Sequence, residues 1–286
     1  MSGGTPLITD LATVRFPAAH SRESGADRKE EAARRLMATF ADADAVVAAS
    51  RVDASFLQRS GSGRPTVTFE GLGDGSAENP PALDGGLLFI GDLLHHPNLQ
   101  AVEWWMEEIA ALVQARAGSP IPLRVVGRGS EAYRRLWDRP DRASVAGWKP
   151  DLSREHAVAR LLVVPLPYAT GTGGRIASAL AHGLPVVASA AAAAVLSPSL
   201  ATLVAAGDNA GQMADHIHRL MTDDDAWLEQ RRLIETADLA ALRASRAAAL
   251  TDWLEVVTAG DWPGAGGRSN RRSGSRRAPR RQRRAS

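Results

Sequence analysis

Short, continuous apolar runs punctuate the middle of this chain. They stand at Leu87 to Gly91 (LLFIG), within Pro122 to Gly129 (PLRVVGRG), at Leu161 to Leu166 (LLVVPL) and at Pro185 to Ser189 (PVVAS). Runs of this kind suit strands buried on both faces. Between them lie segments with helical spacing: Leu99 to Ala117, carrying Trp104 and Trp105, and Arg175 to His182. Adjacent tryptophans on a helix cannot both face a core, so one of the two is expected at the helix margin. Strands alternating with helices predict an α/β domain with a Rossmann-like, doubly wound parallel sheet from Leu87 to about Leu242.

The flanks read differently. Ala26 to Ala43 is predicted helical, Asp44 to Ala49 a buried strand, and Arg51 to Arg59 a short helix with Val52, Phe56 and Leu57 inward. Gly61 to Gly86 is rich in Gly, Pro and Ser around a short strand at Thr66 to Phe69, and reads as a linker. Helices are expected at Asn209 to Met221 and Asp223 to Leu242. The cluster Thr222 to Asp225 suits a helix N-cap, with metal binding as the alternative.

The candidate chemistry lies between the third and fourth of the apolar runs. Gly171, Gly173 and Gly174 separate a strand from a helix that opens with Arg175. Glycines there let backbone N–H groups approach a phosphate, and the helix N-terminus adds partial positive charge. Arg175 supplies a fixed charge and a fork that fits phosphate oxygens. A tight strand-to-helix turn with no ligand satisfies the same residues, so both readings stand at this level. His95 and His96, in the loop after the first run, are either a solvated pair or within reach of a ligand. His216 and His218 are two apart on a helix and make a poor metal pair.

Read as a whole, PLPYATGTGGRIASALAHGLPVVAS from Pro165 to Ser189 resembles the donor-site region of GT-B glycosyltransferases of the retaining family 4. Pro165, Leu166, Gly171, Thr172, Ala179, Ala181, Gly183, Pro185, Val186 and Val187 match that family's pattern, and Arg175 falls where the family has its basic phosphate-binding residue. The family's Glu-x7-Glu pair is replaced by Thr170 and Ser178, the second being the usual ribose-holding position. Four more segments are similar to family motifs in the same order. Phe40 to Ser50 is like A-D-x-V-x-x-x-S. Gly91 to Asn98 (GDLLHHPN) is like the opening of the donor domain. Pro122 to Gly129 is like L-x-V-V-G-x-G, and Val145 to Trp148 is like the strand beside the nucleotide base. Asp10 to Arg15 looks like a remnant of D-L-H-x-x-R, with Ala12 where His is usual.

The resemblance implies a donor site built from Gly91, Gly127, Trp148, Thr170, Gly171, Thr172, Gly173, Gly174, Arg175 and Ser178, and it names no catalytic base. It implies a nucleotide-diphosphate sugar as co-substrate, no further cofactor, no metal, and an acceptor hydroxyl glycosylated with retention. It also divides the chain into a partial N-terminal GT-B segment at 1–60, a linker at 61–86, a donor-nucleotide domain at 87–258 and a basic tail at 259–286. A first domain this short is expected in a truncated enzyme, a pseudoenzyme, or one half of an enzyme completed by a partner chain.

Composition narrows the setting. The chain has no Cys, which excludes disulfides, thiol nucleophiles and cysteine zinc sites. It has no apolar run of membrane-spanning length and no basic region followed by a long apolar core near the N-terminus, so a cytoplasmic protein is expected. Charge is uneven. Arg268, Arg271, Arg272, Arg276, Arg277, Arg280, Arg281, Arg283 and Arg284 crowd the last stretch, with no acid among them. The chain carries +2 and this tail +9, which leaves −7 for the remainder. Such a tail is expected to be disordered, and either to stay solvated with only nonspecific polyanion affinity or to meet anionic lipid or nucleic acid through phosphates. It has no aromatic residue for stacking on bases.

Overall fold

A computed structural model describes residues 8–10, 38, 43–48, 50–59, 63–68, 80–168, 171 and 173–259. The expected helix at Ala26 to Ala43, Ala12, and the arginine-rich tail lie outside or almost wholly outside these residues.

The first part forms a three-stranded parallel sheet in the order β1-β2-β3, from β1 (Ile8–Asp10), β2 (Ala45–Ala48) and β3 (Thr66–Thr68). Between β2 and β3 runs α1 (Arg51–Arg59). Its start follows from Ser50, whose Oγ accepts from the Asp53 N–H at 3.2 Å and donates to Asp53 Oδ2 at 2.7 Å. Leu57 is the buried anchor of that helix. β3 falls inside the glycine-rich stretch 61–86 and pairs in register with β2.

The second part is the expected doubly wound domain. Its strands are β4 (Gly86–Ile90), β5 (Leu123–Val126), β6 (Ala143–Gly147), β7 (Ala159–Val164), β8 (Val186–Ser189) and β9 (Ala205–Gly207). They form a six-stranded sheet in the order β6-β5-β4-β7-β8-β9, with every pairing parallel. All six residues of β7 and all four of β8 are buried, as interior parallel strands require. The order runs outward from β4 in one direction and from β7 in the other. The β4–β7 border is therefore the topological switch point, where the strand ends open a crevice.

The helices fix that crevice. After β4 come α2 (His96–Trp104), a π-helical turn (Trp105–Ile109) and α3 (Ala110–Ala117), together covering the expected helix. Trp105 is the tryptophan that faces the core, with its Nε1–H donating to the Arg142 carbonyl at 2.9 Å, while Trp104 is only partly buried. Short helices α4 (Arg134–Trp137) and α5 (Leu152–Ala157) precede β6 and β7. After β7 comes α6 (Gly174–Ala181), whose Ile176, Ala177, Ala179 and Leu180 pack into the core. The short helices α7 (Ala190–Ala193) and α8 (Pro198–Ala201) lead to β9.

The C-terminal helices are α9 (Ala210–Thr222), α10 (Asp224–Thr236) and α11 (Leu239–Ala259). The single helix expected at Asp223 to Leu242 is in fact broken. Ala237 is extended, and Asp238 starts a new helix by accepting from the Ala241 N–H at 2.8 Å. Asp223 caps α10 through the Ala226 N–H at 3.0 Å, which is the capping role expected of that cluster. Among the described residues no group of three His, Asp or Glu side chains could hold a metal ion, and no helix is long and apolar enough to cross a membrane.

One buried cation ties the base of the sheet to these helices. Arg160 in β7 is 5% exposed, donates from Nε to the Leu220 carbonyl at 2.8 Å and pairs with Asp224 at 2.7 Å. Its guanidinium stacks over Trp227, whose Nε1–H returns a bond to the Arg160 carbonyl at 2.8 Å. A charged residue in a buried strand is tolerable because each of these partners offsets its desolvation.

Candidate functional site

The crevice at the switch point is assembled by glycines that let backbone lie on backbone. Gly91, one residue past β4, donates its N–H to the Val126 carbonyl at 2.9 Å, and Gly127 donates to the Gly147 carbonyl at 3.0 Å. Gly127 has φ +150°, and a Cβ built there would lie 1.8 Å from the Gly91 carbonyl oxygen. A Cβ on Gly91 would press on the Phe89 ring at 3.0 Å and on Arg175 Nη1 at 3.1 Å. Gly91 is thus bare because a guanidinium lies against it.

The loop from Gly91 to α2 is held by its own polar groups. Asp92 Oδ1 accepts from the Leu94 N–H at 3.0 Å, and its other oxygen pairs with Arg128. Arg128 beside it holds the Asp92 carboxyl below its ordinary range. Asn98, 3% exposed, donates from Nδ2 to the Asp92 carbonyl at 2.8 Å.

Opposite this loop stands the glycine turn after β7. Gly173, at φ +68°, is the N-cap of α6, and a Cβ there would meet Leu196 at 2.6 Å. Arg175 follows in the first turn of the helix. Its Nη2 donates to Asn98 Oδ1 at 2.6 Å, and its guanidinium carbon lies 5.5 Å from the centre of the Phe89 ring. Nη1 is buried with no hydrogen-bond partner among the described residues. Burial pushes the Arg175 pKa down to about 10, and no carboxylate among the described residues pairs with it. The cleft it borders holds about 330 Å³ and is walled by Gly91, His95, Gly171, Gly173 and Gly174, with Ile90 and Ile176 behind. At its rim His96 Nδ1 lies 3.5 Å from the Tyr168 hydroxyl, linking the loops after β4 and β7.

Gly91, Gly171, Gly173, Gly174 and Arg175 converge on one cleft. Gly127 sits directly behind Gly91 and shapes it. Trp148 is 60% exposed and lies away from the cleft lining, with its N–H bonded to Glu131 Oε1 at 2.8 Å. Ser178 is half-buried one turn along α6 and is not among the lining residues. Its carbonyl accepts from His182 Nδ1 at 2.8 Å. Thr170 and Thr172 lie outside the described residues. Of the two histidines left open by the sequence, His95 lines the cleft and His96 guards its rim. Phe89 and Asn98 are additions. Phe89 is hidden inside a strand run, and Asn98 stands 77 residues from the arginine it touches, so no local pattern joins the pair.

Residues 84–223 match the family described as Glycosyl transferases group 1. No curated protein matches the chain. Among solved structures the chain is similar to WaaG, a glycosyltransferase involved in lipopolysaccharide biosynthesis, with TM-score 0.59, 18% identity, and 88% of this chain and 74% of that chain covered. It is similar to TarM, with TM-score 0.55, 13% identity and 83% of this chain covered, and it spans about half of TarM, 48%. HepE of Anabaena, solved with UDP and glucose, gives TM-score 0.53 at 18% identity, over 86% of this chain and 72% of that one. At these identities the shared property is the fold.

Proposed function

We infer, from a chain whose residues 84–223 carry a glycosyl transferases group 1 domain on a GT-B fold, that this protein binds a nucleoside-diphosphate sugar in the switch-point cleft and transfers the sugar to an acceptor hydroxyl. One observation carries the reading. The Nη1 of Arg175 is buried with no hydrogen-bond partner among the described residues, and it borders a glycine-walled cleft at the N-terminus of α6, with no carboxylate among those residues to neutralise it. Burying a cation costs free energy that an anionic ligand would offset.

In that reading the diphosphate lies over Gly171 to Gly174, with its oxygens toward Arg175 and the first amides of α6. Negative charge grows on the diphosphate as the glycosidic bond breaks, and a preorganised cation stabilises it most at that moment. Departure with retention of configuration, and a requirement for no further cofactor or metal, belong to the same proposal. WaaG and HepE, which are similar in fold, support the donor class: the first is a glycosyltransferase and the second was solved with UDP and glucose.

Arg175→Ala is expected to weaken donor binding by about ten- to a hundredfold, the worth of a charge-assisted hydrogen bond. Calorimetry with UDP-, GDP- and ADP-sugars measures it. Equal affinity in variant and parent removes Arg175 from the site.

Ser178 favours a second reading, a nucleotide-sugar-binding module that is not itself catalytic or that acts with a partner chain. Where the resemblance expects a carboxylate on the ribose, Ser178 offers one short hydroxyl and stands off the cleft lining. Donor binding by the chain alone is then weak and turnover low, and Ser178→Glu is expected to tighten binding by roughly tenfold. Robust sugar transfer by the purified chain decides for the enzyme. The arginines of the tail suit an anionic membrane surface or another polyanion, and so a cytoplasmic protein peripheral to the membrane.

A further inference from the structure

We propose that Asn98 is the positioning residue of the phosphate site: a neutral tether that aims Arg175 into the cleft without cancelling its charge. The inference rests on the reading of the cleft as an anion site.

The amide of Asn98 is oriented without ambiguity. A guanidinium only donates, so the atom facing Arg175 Nη2 at 2.6 Å is the oxygen. A carbonyl only accepts, so the atom facing the Asp92 carbonyl at 2.8 Å is the nitrogen. Both ends of a buried side chain are therefore used, one on the loop after β4 and one on the first turn of α6. The long arginine stem has many rotamers in isolation. Here Phe89 lies against its guanidinium, the bare Gly91 backbone passes beside Nη1, and Asn98 fixes Nη2. What these contacts leave unsatisfied is Nη1.

The chemical identity of the tether matters. An aspartate at this position would also accept from Nη2, with a stronger, charge-assisted bond. It would also neutralise the charge that a phosphate needs. A second carboxylate oxygen would face the Asp92 carbonyl with no proton to share. Asparagine supplies the geometry and withholds the charge, so the anion arriving in the cleft meets a full positive charge already aimed at it.

The test uses inorganic pyrophosphate, UDP and GDP as probes on the full chain, read by calorimetry, with thermal melting measured on every variant. Asn98→Asp is expected to lower pyrophosphate affinity by on the order of thirtyfold with a melting midpoint at or above that of the parent. Asn98→Ala, which frees the arginine but keeps its charge, is expected to lose only about three- to tenfold. In an Arg175→Ala background, Asn98→Asp is expected to have little further effect, because its action passes through the arginine. Equal losses in Asn98→Asp and Asn98→Ala overturn the proposal, and so do full additivity with Arg175→Ala or parental affinity in Asn98→Asp. A parent that binds pyrophosphate but no nucleoside diphosphate sinks the donor reading and leaves the tether to be judged on pyrophosphate. A parent that binds none of the probes overturns both.

Discussion

Gly127→Ala is expected to cost on the order of 4 kcal/mol or more, a large share of the roughly 5–15 kcal/mol that holds a folded domain. Two effects add. At φ +150° the backbone adopts a conformation that L side chains rarely take. The new methyl would also stand 1.8 Å from the carbonyl oxygen of Gly91, and that neighbour is backbone, not the movable end of a side chain. Relief requires the loops after β4 and β5 to separate. That would strain the bonds from Gly91 N–H to the Val126 carbonyl and from Gly127 N–H to the Gly147 carbonyl. Because Gly91 also borders Arg175, anion binding is expected to fall with stability. Urea unfolding measures the first effect and calorimetry with UDP the second. Gly171→Ala is the contrast. It has φ +71°, but among the described residues nothing lies within 4 Å of a new Cβ, so a loss of only about 1 kcal/mol is expected. A soluble Gly127→Ala protein within about 1 kcal/mol of the parent would show that the two loops do not meet as described.

The second large effect is acid sensitivity centred on a pair of buried histidines. His156 is 1% exposed, neither ring nitrogen has a hydrogen-bond partner among the described residues, and its ring stacks on that of His182 with centroids 4.5 Å apart. His182 donates from Nδ1 to the Ser178 carbonyl, so in its neutral form the buried Nε2 carries a lone pair with no donor. Burial, and secondarily the facing His182, push the His156 pKa from 6.5 down to about 4, against the opposing pull of Glu155. Glu155 is itself engaged by Arg124 at 2.7 Å. The folded protein thus resists a proton that the unfolded chain accepts. The contribution is whole above pH 6.5 and is lost as pH falls toward 4. Integrated over that shift it amounts to about 3 kcal/mol. Urea midpoints between pH 7.5 and 4.5 are expected to drop steeply in the parent and more gently in His156→Leu. Parallel lines for the two proteins would show that another group governs the acid limb.

Much of the framework was legible because it is local. LLVV and VVAS suited interior strands, and the glycines with Arg175 announced a turn that opens a helix. Asp223 revealed itself as a cap through its side chain and the residues just after it. The misread C-terminal helices have a physical cause. Leu239–Ala259 is rich in alanine, buries only Val257 and shows almost no apolar stripe, so periodicity gave no boundary. Arg160 interrupts the strand pattern as a charge should, and its partners at Leu220, Asp224 and Trp227 are distant in sequence. The same holds within the cleft. Its glycines lie in a readable motif, whereas the contact of Asn98 with Arg175 and the approach of Gly127 to Gly91 exist only after the sheet is assembled.

The strand order has a consequence for assembly. β4, β5 and β6 form one half of the sheet and β7, β8 and β9 the other, and among the described strands the β4–β7 pairing alone joins them within the sheet. The walls of the cleft come from both sides of that seam, Gly91 and His95 from the first half and Gly173 and Arg175 from the second, and Asn98 of the first half holds Arg175 of the second. The cleft therefore forms only when the halves have docked, a long-range pairing whose loop-closure entropy must be met before its contacts are gained. An anion seated there acts as a rivet. Its binding free energy adds to the work of pulling the halves apart, in proportion to the logarithm of its concentration over its dissociation constant.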